Sequence, residues 1–468
     1  METYDLIIIG AGLLGCFAAR NAARYKLRTL VLEKREDVCT GISKANTAII
    51  YPGYDTKPGT LKTEICVRGC RDFEALCREL SVRYEKRGSL MVSYGEKSHA
   101  VLRKKYEQGL VNGVAGLSML TKEEVLSLEP DLKDVYSGLY CSETATVLPW
   151  ELCIAAYENA KANGTDFIFN LPVTKIEHDG DGYIINNKYK TRAVINCAGL
   201  YSDTVREMLF EPLVRIVPTS GTYLVFDENV TFSPKHIIFC EPEEKGKGLT
   251  LVPTVTGNLL CGPTESPSDG KNDFSSDSRD LSTLYSQLEN AVEDADISKV
   301  IRNFGALRPN PYFVRKTEKG YELEDKSISN FTIVEDTSTF LSFIGIKTPG
   351  LTCCDELGKL AAGKIDAALG AEKNSNFDPQ RKREKQAPGR IVCRCRHLTE
   401  EDIIAAVESG AMTLDGVKHR CDAMTGRCQG SYCTERIMEI IARKRGVPMQ
   451  SVVKSGEDSY ILESKNES

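Results

Sequence analysis

Several features that would assign this chain to a class of proteins are missing from it. Its apolar runs stop well short of the roughly 20 residues that span a bilayer, so a membrane-spanning protein is not expected. Positive charge is not in excess, and the net charge of −6 argues against nucleic-acid binding as the main function. The first residues are acidic and the apolar strand after them is too short for a signal peptide, so we expect a cytoplasmic protein.

Histidine is also scarce, with five residues, whereas cysteine is abundant, with 17 in 468 residues. A chain of this length exceeds one ordinary core, so two or three domains are expected. In a reducing compartment most of the cysteines are free thiols that behave as small buried hydrophobic residues. Five of them fall between Val392 and Ile437. Metal ligation is expected only for this clustered subset.

The N-terminal segment carries a complete dinucleotide-binding pattern. A short apolar strand, Asp5–Ile9, runs directly into Gly10-Ala11-Gly12-Leu13-Leu14-Gly15. An alanine-rich stretch then predicts a helix over Cys16–Tyr25, and a second strand, Arg28–Leu32, ends at the acidic residue Glu33. Strand, G-x-G-x-x-G, helix, strand and acid follow one another in the order that binds a dinucleotide.

Each residue of this pattern has a physical role. Gly10 permits the tight turn, Gly12 lets the backbone approach a pyrophosphate, and Gly15 lets helix and strand pack closely. The N-terminus of the helix offers free N–H groups to the phosphates. Glu33 is placed to accept hydrogen bonds from a ribose. The pattern alone does not separate FAD from NAD, although its position near the N-terminus of a long chain favours FAD.

Further stretches have the character of cofactor- or substrate-facing segments. They share small, polar or glycine-rich residues next to apolar strands. They are the loop Thr40–Thr47 with the following Ala48–Tyr54, Lys57–Lys62, the strand Ala193–Ala198 with Gly199, Gly305–Pro309, and Phe343–Thr352, which opens a helix running through Ala362.

At these stretches the chain resembles the FAD-dependent family typified by D-amino acid oxidase, glycine oxidase and glycerol-3-phosphate dehydrogenase. The resemblance covers about residues 3 to 370. Within the family it is closest to the A subunit of anaerobic glycerol-3-phosphate dehydrogenase. L-2-hydroxyglutarate dehydrogenases carry a stretch similar to Lys57–Lys62.

The resemblance implies a set of FAD-binding residues. Gly10, Gly12, Gly15, Glu33 and Lys34 would hold the ADP half. Those expected along the flavin and the adenine are Thr40, Ser43, Lys44, Ala45, Asn46, Val173 in a predicted strand, Ala198, Gly199, Gly345, Gly350, Leu351 and Thr352. A helix N-terminus at Gly350–Thr352 would stabilise the negative charge that a flavin gains on reduction.

Two residues are candidates for substrate chemistry. Arg308, which the sequence places in a rigid turn, can bind a carboxylate or phosphate through both arms of its guanidinium. Tyr51 occupies the turn in which the related enzymes usually have a histidine. A tyrosine is a poor base near neutral pH but a good hydrogen-bond partner, so the identity of the proton acceptor stays open.

The expected architecture is α/β, with a Rossmann-type FAD-binding domain and an inserted mixed-sheet domain that forms the substrate pocket. The FAD-binding domain is predicted to be discontinuous, over 1–85, 141–213 and 301–371, with the substrate domain over 86–140 and 214–300. Residues 372–390 are polar and charged and predict a linker. Residues 391–468 are expected to form a small helical domain.

Four cysteines in this last segment are candidate metal ligands. Cys393 and Cys395 flank one residue, and Cys428 and Cys433 are separated by four. Each pair precedes a predicted helix. The helix after the first pair begins with a capping box at Thr399. Four thiolates suit either zinc or an iron–sulfur cluster, but zinc pairs more often have the spacing C-x₂-C. Cys421 lies outside the pattern and is interpreted as a spare thiol, although in another register it could replace Cys428.

The C-terminal spacing resembles the bacterioferritin-associated-ferredoxin type of [2Fe-2S] domain, which is also appended to the anaerobic A subunits. The two resemblances together imply an FAD and [2Fe-2S] dehydrogenase of a small anionic alcohol, with glycerol 3-phosphate the leading candidate. A 2-hydroxy acid, a secondary amino acid and a non-catalytic electron-transfer module are the alternatives.

The same resemblance implies partners for the enzyme. They are a second flavoprotein and a small cysteine-rich electron-transfer subunit. Any association with a membrane is expected to be peripheral and to occur through these partners.

Overall fold

A computed structural model describes residues 1–241, 248–382, 388–456 and 458–463. In chain order its strands are β1 (Glu2–Ile9), β2 (Thr29–Leu32), β3 (Ile49–Ile50), β4 (Tyr84–Lys86), β5 (Ser89–Ser93), β6 (Leu117–Thr121), β7 (Ser137–Cys141), β8 (Ala145–Val147), β9 (Asp166–Ile168), β10 (Ile176–Asp179), β11 (Gly182–Ile185), β12 (Tyr189–Asn196), β13 (Val214–Phe226), β14 (Ile237–Cys240), β15 (Thr250–Pro253), β16 (Leu259–Cys261), β17 (Ser266–Pro267), β18 (Val300–Thr317), β19 (Gly320–Leu323), β20 (Thr332–Thr337), β21 (Phe340–Ile344), β22 (Ile391–Cys393) and β23 (Leu398–Thr399).

The helices are α1 (Leu13–Ala22), α2 (Leu61–Glu79), α3 (Glu96–Val111), α4 (Lys122–Leu128), α5 (Pro149–Ala162), α6 (Ser202–Arg206), α7 (Ser278–Ala291), α8 (Cys354–Leu369), α9 (Glu400–Glu408), α10 (Leu414–Cys421) and α11 (Thr434–Arg445). Short 3-10 helices cover Ile42–Lys44, Gly199–Tyr201, Ile297–Lys299 and Met449–Ser451. No helix in these described ranges is both long enough and apolar enough to cross a bilayer.

The first sheet is the predicted dinucleotide-binding sheet. Its centre is parallel, with β1 between β12 and β2, β9 beyond β2, and β21 beside β12. Strand β1 is buried on both faces: Leu6 and Ile8 pack in the core formed with α1, α5 and α8, and Ile7 and Ile9 pack on the other side in a core that includes Tyr183 and Val205. The glycine-rich turn after β1 therefore lies at the carboxyl edge of a parallel sheet, where such folds bind ligands.

The second sheet has ten strands in the order β19-β18-β13-β16-β15-β14-β5-β7-β6, with β17 beside β13. Its central ladder joins β13 to β18 over nearly their whole lengths. The mixed-sheet substrate domain is thus confirmed as a sheet of its own, but residues 301–323 also belong to it, in β18 and β19. The sequence pattern assigns them to the FAD-binding domain, whose other boundaries stay predictions.

The prediction of a rigid turn at Gly305–Pro309 is wrong, because these residues continue through β18. Pro309 lies directly opposite Pro218 of β13. A proline pair fits an antiparallel ladder where both N–H positions point away from the partner strand, so neither ring breaks a bond of this ladder. Arg308 therefore projects from the middle of a long strand.

The C-terminal segment forms a small unit with its own core, which includes Val392, Ile403, Val417 and Ile437. The capping box at Thr399 is confirmed: its hydroxyl accepts from the Asp402 N–H at 3.3 Å. The expected α/β architecture with a helical C-terminal domain is confirmed in the part of the chain that the structure describes.

This unit is held against the rest of the chain by ion pairs to two separate segments. Arg83 lies 2.6 Å from Asp422, and Arg427 lies 2.6 Å from Asp227. The predicted linker is also tied down: residues 372–382 follow α1 and α5, with Arg381 bonded to Glu158 at 2.6 Å. Residues 383–387 of the linker lie outside the described residues.

Candidate functional site

A cavity of about 310 Å³ lies at the carboxyl edge of the parallel sheet. Its lining includes residues predicted for the ADP half and the adenine, namely Gly10, Gly12, Glu33, Lys34 and Val173, together with Ala198 and Gly199. Thr40 and Ser43, predicted along the flavin, line this cavity as well. Val173 lies in extended chain just before β10 rather than in a strand as predicted. The geometry thus gathers residues from three distant parts of the sequence into one elongated cleft.

The glycines of the turn are required by their surroundings. Gly10 has φ of +99°, and a Cβ there would lie 2.6 Å from the carbonyl oxygen of Cys197. A Cβ on Gly15 would lie only 1.9 Å from the Gly10 carbonyl oxygen. Both distances are far below van der Waals contact, so side chains are excluded from the floor of the cleft. The space left by the missing side chains fits the pyrophosphate of a dinucleotide.

Two side chains hold this turn in place. A Glu33 oxygen accepts from the Ala11 N–H at 2.7 Å, and the Ser43 hydroxyl accepts from the Leu13 N–H at 2.9 Å. Burial raises the pKa of Glu33, and the bonds from backbone N–H groups oppose that shift. Glu33 thus stands at the end of β2 with its carboxylate in the cleft, as its predicted role at a ribose requires.

A second cavity, of about 820 Å³, adjoins the first and shares Gly12, Ser43 and Gly199 with it. Its lining includes Ala45, Asn46, Gly350 and Leu351, all predicted along the flavin, together with Tyr51 and Arg308. The two cavities together form one continuous space from the glycine-rich turn to the second sheet. Such a space fits an extended FAD molecule with a substrate beyond its flavin.

Three residues predicted along the flavin do not line either cavity. Lys44 faces α10, where it adds to the positive potential at Lys418 and His419. Gly345 makes a tight turn against Pro311 instead. Thr352 lies just behind the cavity wall, where its hydroxyl accepts from the Tyr51 N–H at 2.8 Å. Thr352 therefore fixes the backbone of Tyr51, while roles for Lys44 and Gly345 at the cofactor remain predictions.

Positive charge dominates the second cavity. Five cations line it, and three carboxylates accompany them. The cations are Lys57, Lys62, Lys105, Arg308 and Lys347, and the acids are Asp55, Glu241 and Glu265. Lys105 is neutralised by Glu241 at 2.6 Å, whereas Arg308 has only a longer contact of 3.4 Å with Glu265.

Lys347 is held by neutral groups rather than by an acid. Its ammonium donates to the Asn310 side-chain oxygen at 3.2 Å and lies 3.5 Å from the Ser327 hydroxyl, both neutral groups. Burial, with repulsion from Lys62 and Arg308, lowers the pKa of Lys347 to about 8. Three cations that repel one another across a cavity form a site for an anion, which would relieve that repulsion.

Tyr51 and Asp55 form a second functional pair in this cavity. Tyr51 is only 9% exposed, and burial together with the charge of Asp55 raises its pKa well above the usual value. Tyr51 therefore keeps its proton and hydrogen-bonds to the Asp55 carboxylate. Enclosure raises the pKa of Asp55, and the charge of Lys105 opposes that shift. Asp55 is the carboxylate of this pair and therefore its candidate proton acceptor.

The four predicted thiol ligands approach one another as two pairs. The sulfurs of Cys395 and Cys428 are 3.6 Å apart, and the Cys433 thiol hydrogen-bonds to Cys393. That bond lowers the pKa of Cys393 to about 6 against an opposing desolvation, and the Met424 N–H adds to the effect. Cys395 is exposed, whereas Cys393 and Cys433 are buried. One edge of the thiol site therefore faces solvent.

This arrangement fits a two-iron cluster better than a single zinc ion. Zinc takes four ligands around one centre. Two pairs of thiols suit two irons that each take two sulfurs. Cys421 stays outside: its thiol donates to the Val417 carbonyl at 3.2 Å within α10. The twelve dispersed cysteines are all buried, as predicted.

Sequence reasoning missed Lys62, Lys347 and Asp55 as site residues. A signal was present for both lysines, because Lys62 ends the Lys57–Lys62 stretch and Lys347 falls within Phe343–Thr352. Both stretches stand out by their glycines and prolines rather than by their lysines. Asp55 follows Tyr51 by four residues, yet only the fold shows that both side chains reach the same cavity.

Comparison with known proteins identifies both parts of the chain. Residues 5–363 match the family described as FAD dependent oxidoreductase, and residues 391–443 match the BFD-like [2Fe-2S] binding domain. A glycerol 3-phosphate dehydrogenase of Caloramator mitchellensis is 37% identical over 98% of both chains. The mitochondrial L-2-hydroxyglutarate dehydrogenase of Bos taurus is 27% identical over 65% of this chain and 69% of its own.

Among solved structures, the L-alpha-glycerophosphate oxidase of Mycoplasma pneumoniae with FAD bound has the same fold. Its TM-score is 0.75 at 24% identity, and the match covers 82% of this chain and 100% of that one.

Proposed function

The chain belongs to the family of FAD dependent oxidoreductases, and from this premise we propose that it oxidises glycerol 3-phosphate and passes the electrons on through its iron–sulfur domain. It is an FAD-dependent dehydrogenase that carries FAD and a [2Fe-2S] cluster. The substrate and the onward transfer are the proposed steps. The observation that carries the choice of substrate is the group of three cations, Lys62, Arg308 and Lys347, at one cavity.

A phosphate ester suits this group of cations. Arg308 can donate two parallel bonds to phosphate oxygens, and the lysines can add point charges. The similarity over nearly the whole chain to a glycerol 3-phosphate dehydrogenase supports the same substrate class. The phosphate would then be held by the β18 side of the cavity, with the hydroxyl-bearing carbon directed toward Tyr51 and Asp55.

The oxidation removes a proton and a hydride from the carbinol group. FAD, when bound, supplies the hydride acceptor. Asp55 takes the hydroxyl proton, and Tyr51 donates a hydrogen bond that orients the Asp55 carboxylate. Thr352 keeps Tyr51 in place through the backbone bond. This division of work accounts for a tyrosine at the position where related enzymes have a histidine, because the base is a neighbouring carboxylate.

The exposed edge of the thiol site supports onward electron transfer. The cluster, when bound, takes single electrons. Cys395 lies at the surface beside Tyr432, which is 55% exposed and lies under the guanidinium of Arg394 at 4.3 Å. We propose that a partner accepts electrons at this edge, a second flavoprotein or a small cysteine-rich subunit being the expected kinds.

An anaerobic titration of the purified protein tests the substrate. Adding glycerol 3-phosphate should bleach the flavin absorbance and then the broader cluster absorbance. L-2-hydroxyglutarate, sarcosine and L-proline, added separately at the same concentration, serve as comparisons. The substrate assignment is lost if one of these bleaches the flavin faster than glycerol 3-phosphate does.

A variant of the thiol site separates the roles of the two cofactors. Cys428→Ser should remove the cluster absorbance while substrate still bleaches the flavin at the normal rate. Reduction of a large one-electron acceptor should then fall steeply. Cys421→Ser is the matched control and should keep both cofactors, because the Cys421 thiol donates to the Val417 carbonyl and lies outside the two thiol pairs. Unchanged acceptor reduction in Cys428→Ser would contradict electron exit through the cluster.

A further inference from the structure

A loop of the substrate domain reaches across to the dinucleotide cavity. Residues 268–276, which we call the strap, connect β17 to α7. Three strap residues, Lys271, Asn272 and Phe274, line the 310 Å³ cavity opposite the glycine-rich turn. The cavity that holds the ADP half of FAD is therefore closed on one side by a segment from the other domain.

The two ends of the strap are fixed to the substrate domain. Just before the strap, the hydroxyl groups of Thr264 and Ser266 donate to the carboxylate of Asp280 at 2.8 and 2.7 Å. Asp280 lies in the first turn of α7, directly after the strap. One buried carboxylate thus ties together the strand that enters the strap and the helix that leaves it. The strap is consequently a short loop with anchored ends.

The middle of the strap is fixed to the FAD-binding domain. The Lys271 ammonium lies 2.6 and 2.7 Å from the two Asp203 oxygens, and their side chains are 22% and 6% exposed. The Tyr201 hydroxyl donates to the Asn272 side-chain oxygen. On its other side the Tyr201 ring lies 3.5 Å from the ammonium of Lys34, which follows β2. This chain of contacts crosses from one wall of the cavity to the other.

We propose that the strap is a closure that retains FAD. The ADP half cannot leave past the strap until the Lys271–Asp203 and Asn272–Tyr201 contacts break. A partly buried ion pair with two short contacts is costly to open, because it leaves a carboxylate without its partner. The strap therefore slows release of the cofactor, and it does so whichever substrate the second cavity accepts.

The test measures the rate of FAD release from the holoenzyme, followed as the rise of flavin fluorescence after dilution. Lys271→Met should raise this rate about tenfold, since loss of a closing contact acts mainly on dissociation. Lys271→Arg should keep slow release. Lys316→Met, at a lysine of β18 that is 76% exposed, is the control and should release FAD at the wild-type rate.

Asn272→Ala provides a second, milder variant that keeps the ion pair, and it also should accelerate release. It covers the case in which Lys271→Met does not fold. Wild-type release rates in both variants, or in Asn272→Ala alone if the other does not fold, would overturn the proposal. Because no substrate is added, the outcome is independent of whether glycerol 3-phosphate is the substrate.

Discussion

The cofactor cavity and the substrate cavity meet at Gly12 and Ser43, yet they accommodate negative charge in different ways. In the first, the groups at the glycine-rich turn are backbone groups, with Glu33 holding the Ala11 N–H at 2.7 Å, and the cations Lys34, Arg35 and Lys271 line the same cavity. The second uses side-chain cations, of which Lys62, Arg308 and Lys347 come from three separate segments. The first site is thus specified mainly by one short sequence motif, whereas the residues of the second come together only in the folded chain.

The contrast has an energetic side. Backbone N–H groups at a helix N-terminus are fixed and carry only partial charge, so they bind phosphate without strong mutual repulsion. Clustered lysines and arginines repel one another until an anion arrives, and this repulsion adds to burial in lowering the pKa of Lys347. The cofactor cavity is therefore suited to permanent occupancy, and the substrate cavity to binding and release.

The strongest test of the backbone-built cavity is Gly15→Ala. The added methyl would fall 1.9 Å from the Gly10 carbonyl oxygen, so the turn must move. We expect the purified variant to carry little or no FAD, measured as the ratio of flavin to protein absorbance. Gly363→Ala in α8 is the matched control, because a Cβ there meets nothing within 4 Å. Full FAD content in Gly15→Ala would show that the close approach is not required.

The next largest effect is expected at the proton acceptor of the substrate cavity. Asp55→Asn should lower kcat by about 100-fold, the lower end of what a positioned base contributes. KM and FAD content should change little, because the amide keeps the size of the side chain. Asp325→Asn on an exposed loop is the control. A kcat within twofold of wild type would assign the base elsewhere.

The two cavities also differ in how far the sequence predicts them. The order of strand, glycine turn, helix and acid is local, so Gly10, Gly12 and Glu33 can be assigned to the cofactor from the sequence alone. The thiol pattern of Cys393, Cys395, Cys428 and Cys433 is local to one small domain in the same way. The backbone between the glycines of the turn is short enough to determine their geometry, whereas Cys395 and Cys428, 33 residues apart, are brought together by the fold of the small domain.

The substrate cavity depends on contacts that no local pattern specifies. The sequence predicts a turn at Arg308 because glycine and proline usually interrupt strands, but the ladder pairs Pro309 with Pro218 and continues. Lys347, which follows β21, and Asp55, which follows β3, are 292 residues apart in the chain and line the same cavity only in the folded protein. The strap cannot be predicted from the sequence for the same reason, because its role depends on the position of Tyr201 in the other domain.

Removing one cation should have a moderate effect that appears mainly in KM. Lys347→Met is expected to reduce kcat/KM for glycerol 3-phosphate by about 30-fold, equivalent to ~2 kcal/mol for one contact to a charged group. The flavin content should be unchanged. Lys364→Met, at an exposed lysine paired with Glu335, is the control. A loss in kcat with constant KM would mean that Lys347 acts on the chemical step instead of on binding.

The smallest expected effect is a pH dependence that comes from the same lysine. Lys347 has a pKa of about 8 in the free protein, so it loses its positive charge as the pH rises through that value. Attraction for an anionic substrate weakens accordingly, and kcat/KM, which reports the free enzyme, should fall severalfold between pH 7 and about 9.

Two arginine variants identify the group whose titration causes the alkaline limb of the pH profile, the range in which kcat/KM falls. Arginine stays charged throughout that range. Lys347→Arg should flatten the alkaline limb. Lys418→Arg should leave it in place, although burial also lowers the pKa of Lys418 to about 8, since Lys418 lies in α10 outside both cavities. If the decrease persists in Lys347→Arg but disappears in Lys418→Arg, the titrating charge lies at the interface with the C-terminal domain. The comparison between the two cavities would then need a third source of positive potential, located between the domains.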